Sequence, residues 1–160
     1  MRHVAFLAAI VLLANVGTAR ASGMFRCDIG DDNLKFRVHA AEPESGGYPL
    51  AIENTLQFFD PDAPTEFRAF KFEQKDLRGY WLDAREGGSL KLRFFRQGSR
   101  KEPFTFVELI IDAPRVDEVL YKGSYVLTVQ LTEPLHKNRS KGSASKDRFK
   151  EIGFVHCSGF

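Results

Sequence analysis

Residues 79–94, GYWLDAREGGSLKLRF, decide the fold. One run carries Tyr80, Trp81 and Leu82, a second alternates Leu90, Leu92 and Phe94 with polar residues, and Gly87-Gly88 lies between them. Alternation of apolar and polar residues sends one set of side chains to each face of a strand, and paired glycines supply the positive φ angles of a primed two-residue turn. The segment is expected to be an antiparallel hairpin.

Working outward, period two recurs almost everywhere and a helical period of 3.6 is sustained nowhere. Upstream, Leu34, Phe36 and Val38 alternate with Lys35, Arg37 and His39, and the acidic turn Gly30-Asp31-Asp32-Asn33 links that strand to a shorter one, Met24 to Ile29. Glu42 to Pro49 reads as a loop, and residues 51–59 as a strand or short helix ended by Asp60-Pro61-Asp62-Ala63-Pro64. Phe67 to Phe72 reads as a strand. Downstream, Phe104 to Ile111 is apolar on both faces and is expected to be central and covered on both sides. Tyr121 to Leu131 and Phe149 to Cys157 supply the last strands. The fold class that follows is all-β, an antiparallel β-barrel or β-sandwich of about eight to nine strands.

The two ends of the chain fix its expected compartment. Arg2 and His3, the apolar run Val4 to Val16 and the small-residue site Ala19-Arg20-Ala21 follow the order of a secretory signal peptide. The expected division is a signal peptide at 1–21 and a single β-rich domain at 22–160. The apolar run is short for a span, which needs about 20 residues, and no transmembrane segment is expected after cleavage. Gly23-Met24-Phe25-Arg26, before Cys27, is not a lipobox. Cys27 and Cys157 are the only two cysteines, and thiols exported to an oxidising periplasm or extracellular medium normally pair. A bridge between them requires neighbouring terminal strands.

Charge narrows the partners. Of 23 basic residues the leader holds Arg2 and Arg20, and it holds none of the 21 acidic ones, so residues 22–160 are balanced at 21 against 21. Balance and export together argue against nucleic acid as a partner. The charge is nevertheless segregated. Lys137, Arg139, Lys141, Lys146, Arg148 and Lys150 face only Asp147 between 136 and 150, and form a candidate anion-binding loop for lipid headgroups, acidic polysaccharide or an acidic protein. Its plain alternative is a loop that charge keeps solvated.

No catalytic site is read from the sequence. His39, His136 and His156 lack the spacing of a zinc protease, and no G-x-S-x-G elbow is present. Abundant carboxylates leave a hydrolase with a carboxylate pair as an alternative without a positional signal. Asp28, Asp31, Asp32 and Asn33 lack the spacing and distal Glu of an EF-hand, and no metal or other cofactor is expected. Asn138-Arg139-Ser140 fits a glycosylation sequon in hosts that modify such sites. Fourteen of the 15 phenylalanines lie beyond the leader; they either fill a β core or line a cavity for a small apolar ligand. The function expected is that of an exported, disulfide-closed, non-catalytic β domain binding an apolar small molecule, an anionic surface or an envelope protein partner. An envelope-associated structural protein is the alternative from another class; the alternations are mostly shorter than outer-membrane strands need.

Overall fold

The computed structural model describes residues 23–41, 49, 51–61, 63, 65–98, 105–131 and 148–159. The leader, most of the loop after Glu42, Phe104, the sequon, His136 and the basic residues Lys137, Arg139, Lys141 and Lys146 lie outside the described residues. The protein is all-β, as the alternation predicts. The described residues form nine strands: β1 (Met24–Gly30), β2 (Leu34–Ala41), β3 (Ala51–Phe58), β4 (Ala69–Phe70), β5 (Leu77–Leu82), β6 (Ser89–Gln97), β7 (Phe106–Pro114), β8 (Leu120–Gln130) and β9 (Arg148–Gly159). Among the described residues the helical content is one turn, α1 (Thr65–Arg68), and a 3-10 turn at Gln74–Asp76.

All nine strands belong to one sheet in the order β4-β3-β2-β1-β9-β8-β7-β6-β5. Every neighbouring pair is antiparallel. Two meanders, β1–β4 and β5–β9, are therefore joined side by side through the first and last strands. The seam lies inside the sheet, and the sheet's two edges, β4 and β5, are consecutive in the chain. Ring contacts show how far the sheet curls. Phe25 of β1 stacks on Tyr80 of β5 at 5.5 Å, and Phe36 of β2 meets Phe94 of β6 edge-on at 5.7 Å. The architecture is a half-barrel with one interior face, not a two-sheet sandwich.

The disulfide joins residues directly opposite each other at the seam. Cys27 pairs with Cys157 in the β1–β9 ladder, the Cα atoms are 4.0 Å apart, and both residues are buried. The expected adjacency of the terminal strands is thus a covalent and hydrogen-bonded fact.

Burial follows strand parity. Leu34, Phe36, Val38 and Ala40 of β2, Leu90, Leu92 and Phe94 of β6, and Val107, Leu109, Ile111 and Ala113 of β7 all face the core. Each fully buried large side chain stabilises the fold by about 1.5–3 kcal/mol relative to exposure. The phenylalanines fill this space. Phe72 stacks on Phe94 at 4.9 Å, and Phe58 of β3 meets Phe149 of β9 at 6.2 Å.

Three local expectations are corrected. Phe67 to Phe72 is not a continuous strand: α1 occupies its start, and only Ala69–Phe70 pairs with β3. Gly87-Gly88 does not form a two-residue turn, because the connection runs from Asp83 to Gly88. Asp83 Oδ1 accepts the Arg85 backbone N–H at 3.0 Å and starts a wider turn; Gly87 takes φ 73°, and a Cβ at Gly88 would come within 2.1 Å of the Asp83 carbonyl oxygen. Finally, β7 is buried on one side only, and Ile110 is 39% exposed on the other. A single curled sheet has one interior, so its second face meets solvent.

The link between β4 and β5 occupies the gap between the two edges. Buried Asn54 of β3 acts as a substitute backbone: its Oδ1 accepts the Phe72 N–H and its Nδ2 donates to the Phe72 carbonyl, both at 2.8 Å. Arg96 of β6 donates to the Lys71 carbonyl at 2.9 Å from the opposite side. The Phe72 ring points inward between the edges, and covered, very short edges protect a sheet from unwanted pairing.

Candidate functional site

Of the polar residues around the first turn, Asp28, Asp31 and Asn33 are tied into structural contacts. Asp31 begins the β1–β2 turn, where its Oδ1 accepts the backbone N–H groups of Asn33 at 2.9 Å and Leu34 at 2.7 Å. Its Oδ2 accepts the Tyr125 phenol O–H at 2.6 Å. Tyr125 reaches it by crossing Gly153, where a Cβ would lie 2.6 Å from both the ring and the Asp31 oxygen. Asn33 then donates to Glu151 at 3.0 Å, so the cluster locks the first hairpin onto β8 and β9.

Burial, the hydrogen bond to Asp31 and the charges of Asp31 and Glu151 all raise the Tyr125 pKa above its ordinary value. A phenol raised in this way supports the fold fully below pH ~10 and loses that contribution as pH rises through the folded-state value. In an alkaline absorbance titration, Tyr125 is expected to ionise together with unfolding. Ionisation of every tyrosine near pH 10 with the fold intact would contradict that role.

The acidic residues do not converge on a cation. Asp28 lies on the outer face of β1, where Arg26 at 2.5 Å and Arg37 at 2.6 Å pair with it. Partial burial raises its pKa, but the hydrogen bonds and charges of the two arginines outweigh that, and the net shift is downward. Among the described residues no group of three or more His, Cys, Asp or Glu side chains is placed to hold a metal ion. His39 and His156 sit on the outer faces of β2 and β9, with β1 between those strands.

The outer face of β7–β9 is where the sheet departs from ordinary strand chemistry. Parity set by Cys157 turns the even-numbered residues of β9 outward: Arg148, Lys150, Ile152, Phe154 and His156. Ile152 is 62% exposed and Phe154 82%. Ladder pairing extends the apolar set sideways, because Ile152 lies opposite Val126 of β8, and Val126 opposite Ile110 of β7. Beside Phe154 an open groove of about 650 Å³ is bordered by Pro114, Lys122, Ser124 and His156. Gly123 also borders it, and the β7 backbone leaves no room for a side chain there: a Cβ at Gly123 would lie 2.0 Å from the Asp112 carbonyl oxygen.

The charges around this centre are sorted by sign. The outward acids of β7, Glu108 and Asp112, are paired with Arg93 at 2.7 Å and Lys91 at 2.8 Å on β6. Lys122, Arg148 and Lys150 form no ion pair with another described residue. Of the six residues of the candidate anion-binding loop, Arg148 and Lys150 are therefore strand residues on the same face as Ile152 and Phe154. Sequence reading missed the two apolar residues. The signal was present, since an inward Cys157 and Phe149 require outward side chains at 152 and 154.

Comparison with protein-family models, with curated proteins and with solved structures finds no match to this chain.

Proposed function

We propose that this protein is exported, processed after Ala21, and acts as a non-catalytic binding domain that engages its partner through the outer face of β7–β9. The observation that carries this reading is the exposure of Ile152 and Phe154 in the middle of a regular sheet face, flanked by Ile110 and Val126. Adjoining apolar side chains left in water on a strand are a feature of interaction surfaces. The filled interior supports the same choice, because Phe36, Phe72 and Phe94 occupy with each other the space a ligand in the barrel would need. The leader and the buried disulfide support export.

The test uses an apolar anionic fluorophore, anilinonaphthalene sulfonate, with the oxidised protein. Saturable binding is expected, falling by roughly tenfold in the Ile152→Ser/Phe154→Ser double variant with unchanged melting, since about 1.4 kcal/mol of lost contact is tenfold in affinity. Equal binding by the double variant would remove the outer face as the site.

A further inference from the structure

We infer that the occupant of this outer face is the surface of an anionic phospholipid bilayer, on which the domain lies without spanning it. The inference rests on the reading of β7–β9 as the binding face and names what binds there. Along β9 the outward side chains run Arg148, Lys150, Ile152, Phe154, His156, cationic at one end and apolar in the middle. Outward residues repeat about every 6.8 Å along a strand, so Arg148 and Phe154 are separated by roughly 20 Å. Lys122, opposite His156 on β8, places a further cation beyond the apolar centre.

A face of this kind meets a bilayer at two levels. Ile152 and Phe154 enter the boundary between headgroups and acyl chains, while Arg148, Lys150 and Lys122 stay among the phosphates. Charge complementarity favours an anionic surface specifically. Glu108, Asp112 and Asp28, the outward acids of β7 and β1, are already engaged by Arg93, Lys91, Arg26 and Arg37 and set up little opposing field. The face lies on the outside of a curled sheet, and Phe154 stands out from it, a shape that a soft phase accommodates without a matching pocket.

The experiment is co-sedimentation of the oxidised protein with vesicles of phosphatidylglycerol and phosphatidylcholine, with pure phosphatidylcholine vesicles and soluble polyglutamate as parallel arms. Binding is expected to the anionic vesicles and at least tenfold more weakly to the neutral ones. Each Lys or Arg near an anionic surface contributes on the order of fivefold, so Arg148→Gln/Lys150→Gln should weaken binding about 25-fold. Ile152→Ser/Phe154→Ser should weaken it by at least tenfold while melting is unchanged. Equal retention on both vesicle types, or binding to polyglutamate in place of vesicles, would overturn the inference. Fluorophore binding at Ile152 and Phe154 without vesicle binding would overturn the lipid occupant and leave the binding face standing. Loss of both would overturn both.

Discussion

Replacing Cys27 and Cys157 together by alanine is expected to lower the unfolding free energy by about 3–5 kcal/mol, measured by urea unfolding against the oxidised parent. The bridge closes a separation of 130 residues, for which loss of unfolded-state entropy alone gives about 5 kcal/mol. Its position adds to the effect. β1 and β9 pair only at Phe25–Asp28 against His156–Gly159, whereas β8 and β9 pair along the whole of β8. The seam is the short ladder that holds the β1–β4 meander to the rest of the sheet, so its staple resists the separation most damaging to the core. A loss below about 1 kcal/mol would mean that the seam is held by its packing instead.

The second large effect is expected at Phe72. Truncating a buried phenylalanine to alanine costs about 3–5 kcal/mol, and Phe72 is 3% exposed, stacked on Phe94 and edge-on to Phe36 and Phe70. Phe72→Ala keeps both backbone bonds to Asn54, so the measured loss isolates the ring. Asn54→Leu does the reverse: it leaves the ring in place and deprives a buried N–H and carbonyl of their partners, at about 1–3 kcal/mol for each unsatisfied group. A Phe72→Ala loss under about 1 kcal/mol would show that the β4–β5 link lies against the barrel without belonging to its core.

These two sites show what the sequence made legible. Alternation along Leu34 to Val38 and Leu90 to Phe94 is a one-dimensional signal, and it identified strands with the correct inward residues. The cysteines carried the topology because two thiols have one pairing. Phe67 to Phe72 misled because its aromatic residues serve a gap between two edges, and that gap exists only once seven other strands lie between those edges. The role of Asn54 was hidden for the same reason: an asparagine standing in for a strand is defined by a partner 18 residues away. Phe104 to Ile111 looked doubly covered because apolar content does not say whether a second layer exists to cover the strand. The proposed binding face was half legible. Basic residues up to Lys150 were visible as a cluster, but Ile152 and Phe154 were absorbed into the last strand until the parity of Cys157 turned them outward.

The claim on which the functional account depends is that binding occurs outside the half-barrel and that its interior is solid. Titrating methyl-labelled protein with the same fluorophore and following the methyl resonances by NMR tests this directly. The account predicts shifts at Ile110, Val126 and Ile152 with Leu92, Leu109 and Ile111 unmoved. Shifts centred on the three interior residues would place the ligand in the core and contradict it.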